Sequence, residues 1–154
     1  MSRPEPPHES RPAPRGCTCF KVRRLARTVS RLYDQHMAEV GLKTTQYSLL
    51  KTVALGAAPL ARLARDLGLE RTTLSRNLKP LTEAGLITVE RGADARSRVV
   101  TVTALGSDTL LRARSTWRRA QVELQDTLGA ASVDDLHRVI DAALARLQPL
   151  LPGE

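Results

Sequence analysis

Two cysteines, Cys17 and Cys19, and three histidines, His8, His36 and His137, are the softest and most readily titrated groups in this 154-residue chain. A Cys-x-Cys pair can carry thiol redox chemistry. A zinc site needs four closely spaced Cys or His ligands, and these histidines are scattered, so neither a metal nor a cofactor is expected. One Cys pair cannot build a disulfide framework, which points to a reducing, cytoplasmic setting. No nucleophile–base pair and no glycine loop that could cradle a phosphate is evident. A thiol reductase built on Cys17 and Cys19 would need a βαβ pattern that the chain lacks. The expectation is a protein that binds rather than an enzyme.

Charge is the second source of chemistry. Lys and Arg number 24 against 16 acids, a net charge of +8, which favours a polyanionic partner. Twenty of the basic residues are Arg, a bias that a GC-rich coding sequence also produces. The informative cluster is Arg71, Thr72, Thr73, Ser75, Arg76, Asn77 and Lys79, with no acid from Arg71 to Thr82. Arg forks onto guanine, Asn onto adenine, and Thr or Ser bonds a phosphate or touches a thymine methyl. An ordinary solvated helix face is the alternative, but Glu and Lys would usually fill it. Further on stand Asp94, Arg96 and Arg98 in a Gly-containing turn. An Arg at such a tip can enter a narrow minor groove with Asp94 bracing it; a solvated ion pair is the competing account.

The elements that must position these groups follow from periodicity. Residues 1–15 carry five prolines and little to bury, so a disordered tail is expected. Leu25, Val29, Leu32, His36 and Val40 predict a helix stopped at Gly41. Thr44 or Thr45 can cap a second helix carrying Tyr47, Leu50 and Val53. Pro59 can open a short third helix, and a fourth is expected from about Arg71 to Ala84. Ala64, Gly68 and Leu74 supply the small crossing residue, the turn and the anchor of a helix-turn-helix, above Leu63, Leu67 and Leu78. Pro80 should bend its second helix. The period then changes to two, with Ile87 and Val89 facing Val100 and Val102 across a Gly-Ala-Asp tip: a β-hairpin. Two long helices end the chain, one bearing Leu110, Ala113, Trp117, Ala120, Leu124 and Leu128. The other carries Val133, Leu136, Ile140, Ala143, Leu147 and Leu150 behind a Ser132-x-x-Asp135 cap. No apolar run approaches the roughly 20 residues of a membrane span. The order helix, turn, helix, hairpin predicts a mainly α fold with a small β-hairpin wing. In it a winged helix-turn-helix (44–104) is flanked by dimerisation helices at 16–43 and 105–154. The terminal helices bear more apolar stripe than one winged helix can cover, so pairing with a second copy is expected.

The run from Asp94 through Arg96 and Ser97 to Thr103 and Gly106 resembles the D-x-R-[ST]-x-x-x-x-[apolar]-T-x-x-G wing signature of MarR-type regulators. Leu81-Thr-Glu-Ala-Gly85-Leu86-Ile87 is similar to the family's step from recognition helix to wing. The resemblance covers roughly residues 18–150. It implies a homodimeric transcriptional regulator, most simply a repressor, on double-stranded DNA with a palindromic operator. It also implies base and phosphate contacts from the helix around Thr72–Lys79, and minor-groove insertion of Arg96 braced by Asp94.

Members of that family commonly respond to small aromatic or phenolic effectors or to oxidants. Cys17 and Cys19 are redox candidates: Cys19-Phe20 and Thr45-x-Tyr47 resemble the organic-hydroperoxide-sensing branch, although Thr44 stands where that branch supplies a second Tyr. Tyr33, His36, Tyr47 and Trp117 are candidate lining of a ligand cleft, with Arg27 or Arg31 to pair a carboxylate. Two other roles compete: a winged-helix adaptor that binds protein instead of DNA, and a thiol-based peroxide sensor as the main activity.

Overall fold

A computed structural model describes residues 16–92 and 97–150. The order of elements is α1 (Thr18–Met37), α2 (Thr44–Val53), β1 (Ala58–Pro59), α3 (Leu60–Asp66), α4 (Arg71–Glu83), β2 (Ile87–Arg91), β3 (Arg98–Val102), α5 (Ala104–Leu128) and α6 (Ala130–Leu147). The fold is mostly helical with one small antiparallel sheet, as the periodicity predicts.

The helix-turn-helix is α3–α4. Leu63, Leu74 and Leu81 are almost fully buried, together with Met37, Leu50, Ile87 and Val100. Ala64 is buried where the helices cross, and its carbonyl accepts from the Leu69 amide at 2.8 Å. Gly68 makes the turn at φ +59°, a left-handed conformation that a side chain disfavours. α4 runs on through Pro80. The lost bond to Arg76 is offset by burial of Leu78 and Leu81 on either side, and the Pro80 carbonyl still accepts from the Ala84 amide at 3.0 Å.

The wing pairs in the expected register, Ile87↔Val102 and Val89↔Val100, which puts the apolar side chains of both strands on one face. A third strand was not expected. Ala58–Pro59 pairs antiparallel with Val100 and Val99, giving the order β1-β3-β2. Proline is tolerated because β1 is an edge strand. Pro59 therefore ends a strand and precedes α3, rather than sitting in its first turn.

Two caps differ from expectation. α2 begins at Thr44, one residue after its N-cap Lys43. Its free amides are met by distant and local acceptors: Asp34 Oδ1 takes the Thr44 N–H at 2.7 Å, and Gln46 Oε1 takes that of Lys43 at 2.8 Å. α6 starts at Ala130 with Gly129 as N-cap and no side-chain cap, so Ser132 lies inside the helix. Asp135 pairs instead with Arg138 at 2.6 Å.

α1 lies along α5. The Tyr33 hydroxyl donates to Gln121 Oε1 at 2.5 Å, His36 Nε2 meets Glu123 Oε2 at 2.7 Å, and Glu39 pairs with Arg119. Of α6 only Val133 is buried, while Val139, Ile140, Leu144 and Leu147 are exposed. Among the described residues no helix is long and apolar enough to cross a membrane.

Candidate nucleic-acid interface

α4 buries Leu74, Leu78 and Leu81, a spacing of four and three that commits one stripe to the core. Thr72, Ser75, Arg76 and Lys79 on the other sides of the helix are exposed, as is Arg71 where the stripe begins at the helix N-terminus. Thr73 and Asn77 are half-buried. Each stands one residue before a buried leucine, about 100° around the helix, and so lies at the border between the core seam and the outer face.

Beside this face lies the wing. In the β2–β3 register Arg91 stands directly opposite Arg98, and both are exposed. Like charges directly opposite one another in an antiparallel pair destabilise the hairpin, and a polyanion relieves that repulsion. Asp94 and Arg96 lie outside the described residues. Between the outer face of α4, the start of α3 and the wing runs a groove of about 1000 Å³ whose walls include Arg71, Ser75, Lys79 and Arg98. Glu83 also lines it, 3.7 Å from Lys79 one turn earlier. Arg91 and Glu83 were not singled out from sequence. The hairpin pattern pointed to Arg91, since pairing Val89 with Val100 sets it against Arg98.

Three of the four ligand candidates meet. Trp117 stacks on Tyr47, with ring centroids 6.2 Å apart and planes 22° from parallel, and tilts against Tyr33 at 6.4 Å. Lys51 Nζ stands 5.4 Å from the centre of a Trp117 ring. Burial pushes both phenols above the usual tyrosine range, with Arg114 opposing the shift at Tyr47. Tyr33 and Tyr47 are both nearly covered and pack as core, Tyr47 the more deeply. A cleft of about 310 Å³ opens beside Tyr47 and Trp117, walled by Lys51, Leu110, Leu111, Arg114 and Arg118. His36 faces a separate depression with Arg118, Arg119 and Glu123. Arg27 and Arg31 are exposed on α1 and do not line the cleft. Its cations are Lys51, Arg114 and Arg118, signalled only by their positions four residues after Tyr47 and three before and one after Trp117.

Cys17 is the N-cap of α1 and Cys19 lies in its first turn; both are exposed free thiols. His137 is exposed on α6, and His8 lies outside the described residues. Among the described residues no three His, Cys, Asp or Glu side chains gather as a metal site would require.

The profile of a helix-turn-helix domain family matches residues 45–90. No curated protein sequence matches the chain. Solved structures do. The M. tuberculosis transcriptional regulator MosR in complex with DNA is 36% identical, with a TM-score of 0.73 over 84% of this chain and 98% of that one. The transcriptional repressor CouR, bound to a 23-mer DNA duplex, is 25% identical with a TM-score of 0.74, over 82% of this chain and 92% of its own. A mutant of E. coli MarR with operator DNA shares the fold at 18% identity and a TM-score of 0.74, over 82% and 92% of the two chains. These relatives are regulators, not enzymes. With its α3–α4 helix-turn-helix, three-stranded wing and flanking helices, the chain belongs to the MarR family of winged helix-turn-helix transcriptional regulators.

Proposed function

We propose that two copies of this chain bind a palindromic DNA operator and repress transcription by occupying it. One observation carries this reading: an exposed, acid-free run on α4 faces the same groove as the arginine of β3. In this reading Arg71, Arg76 and Lys79, with Thr72, Thr73, Ser75 and Asn77, supply base and phosphate contacts. The wing arginines, Arg96 braced by Asp94 and Arg98 beside it, reach the adjacent groove. Residues 44–104 form the reading head, and 16–43 with 105–154 form the dimerisation part. Exposed Phe20 on α1 and Val139, Ile140, Leu144 and Leu147 on α6 support a second copy covering the terminal helices, since a lone chain would leave these side chains in water. Support for DNA as the partner comes from MosR, solved in complex with DNA, and CouR, solved on a 23-mer duplex.

A release signal belongs to the same reading. The Trp117 cleft, with an aromatic floor and three cations, suits a small aromatic acid better than a neutral phenol. The exposed Cys17 and Cys19 offer an oxidative route.

The test is a salt titration on duplexes selected by the protein itself. Neutralising 6–10 phosphates should cost about 10³–10⁵ in affinity between 50 and 200 mM salt. No retained duplex would leave the protein-adaptor role standing, and retention with a flat salt dependence would overturn the proposed phosphate contacts. On the same duplexes an aromatic carboxylate should release DNA and quench Trp117 fluorescence. Peroxide should release wild type but not Cys19→Ser, and equal release from both excludes Cys19 as the sensor.

A further inference from the structure

The strand that closes the wing runs straight into the longest helix, and the residue between them is Thr103. Its side chain does two jobs at once. The hydroxyl accepts from the Gly106 amide at 3.0 Å, capping α5, and donates to the Gly85 carbonyl at 2.7 Å, at the exit of α4. The Thr103 amide donates to the Leu86 carbonyl at 3.0 Å. Gly106 presses on that same carbonyl: a Cβ added there would lie 2.0 Å from the Leu86 oxygen and 2.8 Å from a Val102 methyl. Gly106 is buried. The end of the recognition helix, the return strand of the wing and the start of α5 are therefore tied within a few residues, with no slack for a side chain.

The consequence concerns geometry more than stability. α5 belongs to the proposed dimerisation part and α4 to the reading head; α2 also packs on α5, but it is Thr103 and Gly106 that join the start of α5 to the exit of α4. α4 has 13 residues and is roughly 20 Å long. A tilt of about 10° at its exit displaces its far end by about 3.5 Å, close to the 3.4 Å rise of one base pair.

We infer that Thr103, seated against Gly106, is a positioning residue whose paired hydrogen bonds set the distance between the two half-sites the protein reads. This rests on the proposed dimer on a palindrome. Both hydrogen-bonding roles of Thr103 need a hydroxyl: one bond is donated and one accepted. Serine preserves them, and valine keeps the shape while removing both.

The experiment selects duplexes from a library with a randomised core of roughly 30 base pairs, about three helical turns, and reads the half-site spacing. Wild type and Thr103→Ser should select one shared spacing. Thr103→Val, still dimeric, should select a broadened or shifted spacing. It should lose at least about tenfold affinity for the wild-type spacing, about 1.4 kcal/mol, while binding an isolated half-site within a few-fold of wild type. A purely structural role predicts equal losses on both duplexes with the spacing unchanged, and that result overturns the inference. Wild type selecting a lone half-site overturns the dimer reading, and the spacing claim with it. Should Thr103→Val not fold, amide exchange in wild type decides. The Thr103 and Gly106 amides should be as protected as those of mid-α5, and exchange at loop rates refutes a rigid joint.

Discussion

At the scale of single residues, the groove is a problem of charge balance. Arg76 is exposed on the outer face of α4, and among the described residues no ion pair holds it. Arg76→Ala should therefore weaken operator binding by ~1–3 kcal/mol, with base preference relaxed at one position in each half-site. A loss that is uniform across operator variants would assign Arg76 to phosphate instead. Lys79 differs, because Glu83 sits 3.7 Å away with both side chains largely in water. Such a pair contributes about 0.3–0.5 kcal/mol to the fold, but the carboxylate also repels an incoming phosphate. Glu83→Gln should leave the melting temperature nearly unchanged, tighten DNA binding several-fold and steepen its salt dependence, as measured by fluorescence anisotropy across a salt series. Weaker binding would mean that Glu83 positions Lys79.

At the scale of elements, the helix-turn-helix depends on one left-handed turn and one anchor. A Cβ at Gly68 would meet nothing within 4 Å, so the cost of Gly68→Ala lies in the backbone alone. That cost is about 1–2 kcal/mol. Asn tolerates the conformation better, so Gly68→Asn should cost less, and urea denaturation gives both values. Leu74 has no exposed surface at all. Leu74→Ala should destabilise the protein by ~2–5 kcal/mol through lost burial and the cavity left behind. A loss under about 1 kcal/mol would mean that the α3–α4 contact is looser than its burial implies.

At the scale of the whole molecule, α6 is the element least accounted for by one chain. Its apolar residues Val139, Ile140, Leu144 and Leu147 are all more than 40% exposed, and Val133 alone is buried. In a homodimer a charge there is buried twice, once from each copy. Leu144→Asp should give monomers by sedimentation and abolish binding to the paired operator while leaving the helical content intact. A Leu144→Asp protein that remains dimeric would move the interface away from α6.

What could be read from sequence was what neighbours along the chain decide. Ala64, Gly68 and Leu74 marked the helix-turn-helix because crossing, turn and anchor fall within a few turns of one another. The alternation from Ile87 to Val102 gave the wing its register because side chains on a strand switch faces at every residue. What tertiary structure decided involves residues far apart in the chain. Ala58 pairs with Val100 across the whole helix-turn-helix, and a two-residue strand has no periodicity to announce it. The amide of Thr44 is capped by Asp34 from another helix. Lys51, Arg114 and Arg118 surround Trp117 only once α2 is laid on α5. Periodicity shows which face of an element is buried, but packing alone determines which other element covers it and which charges then share a cleft.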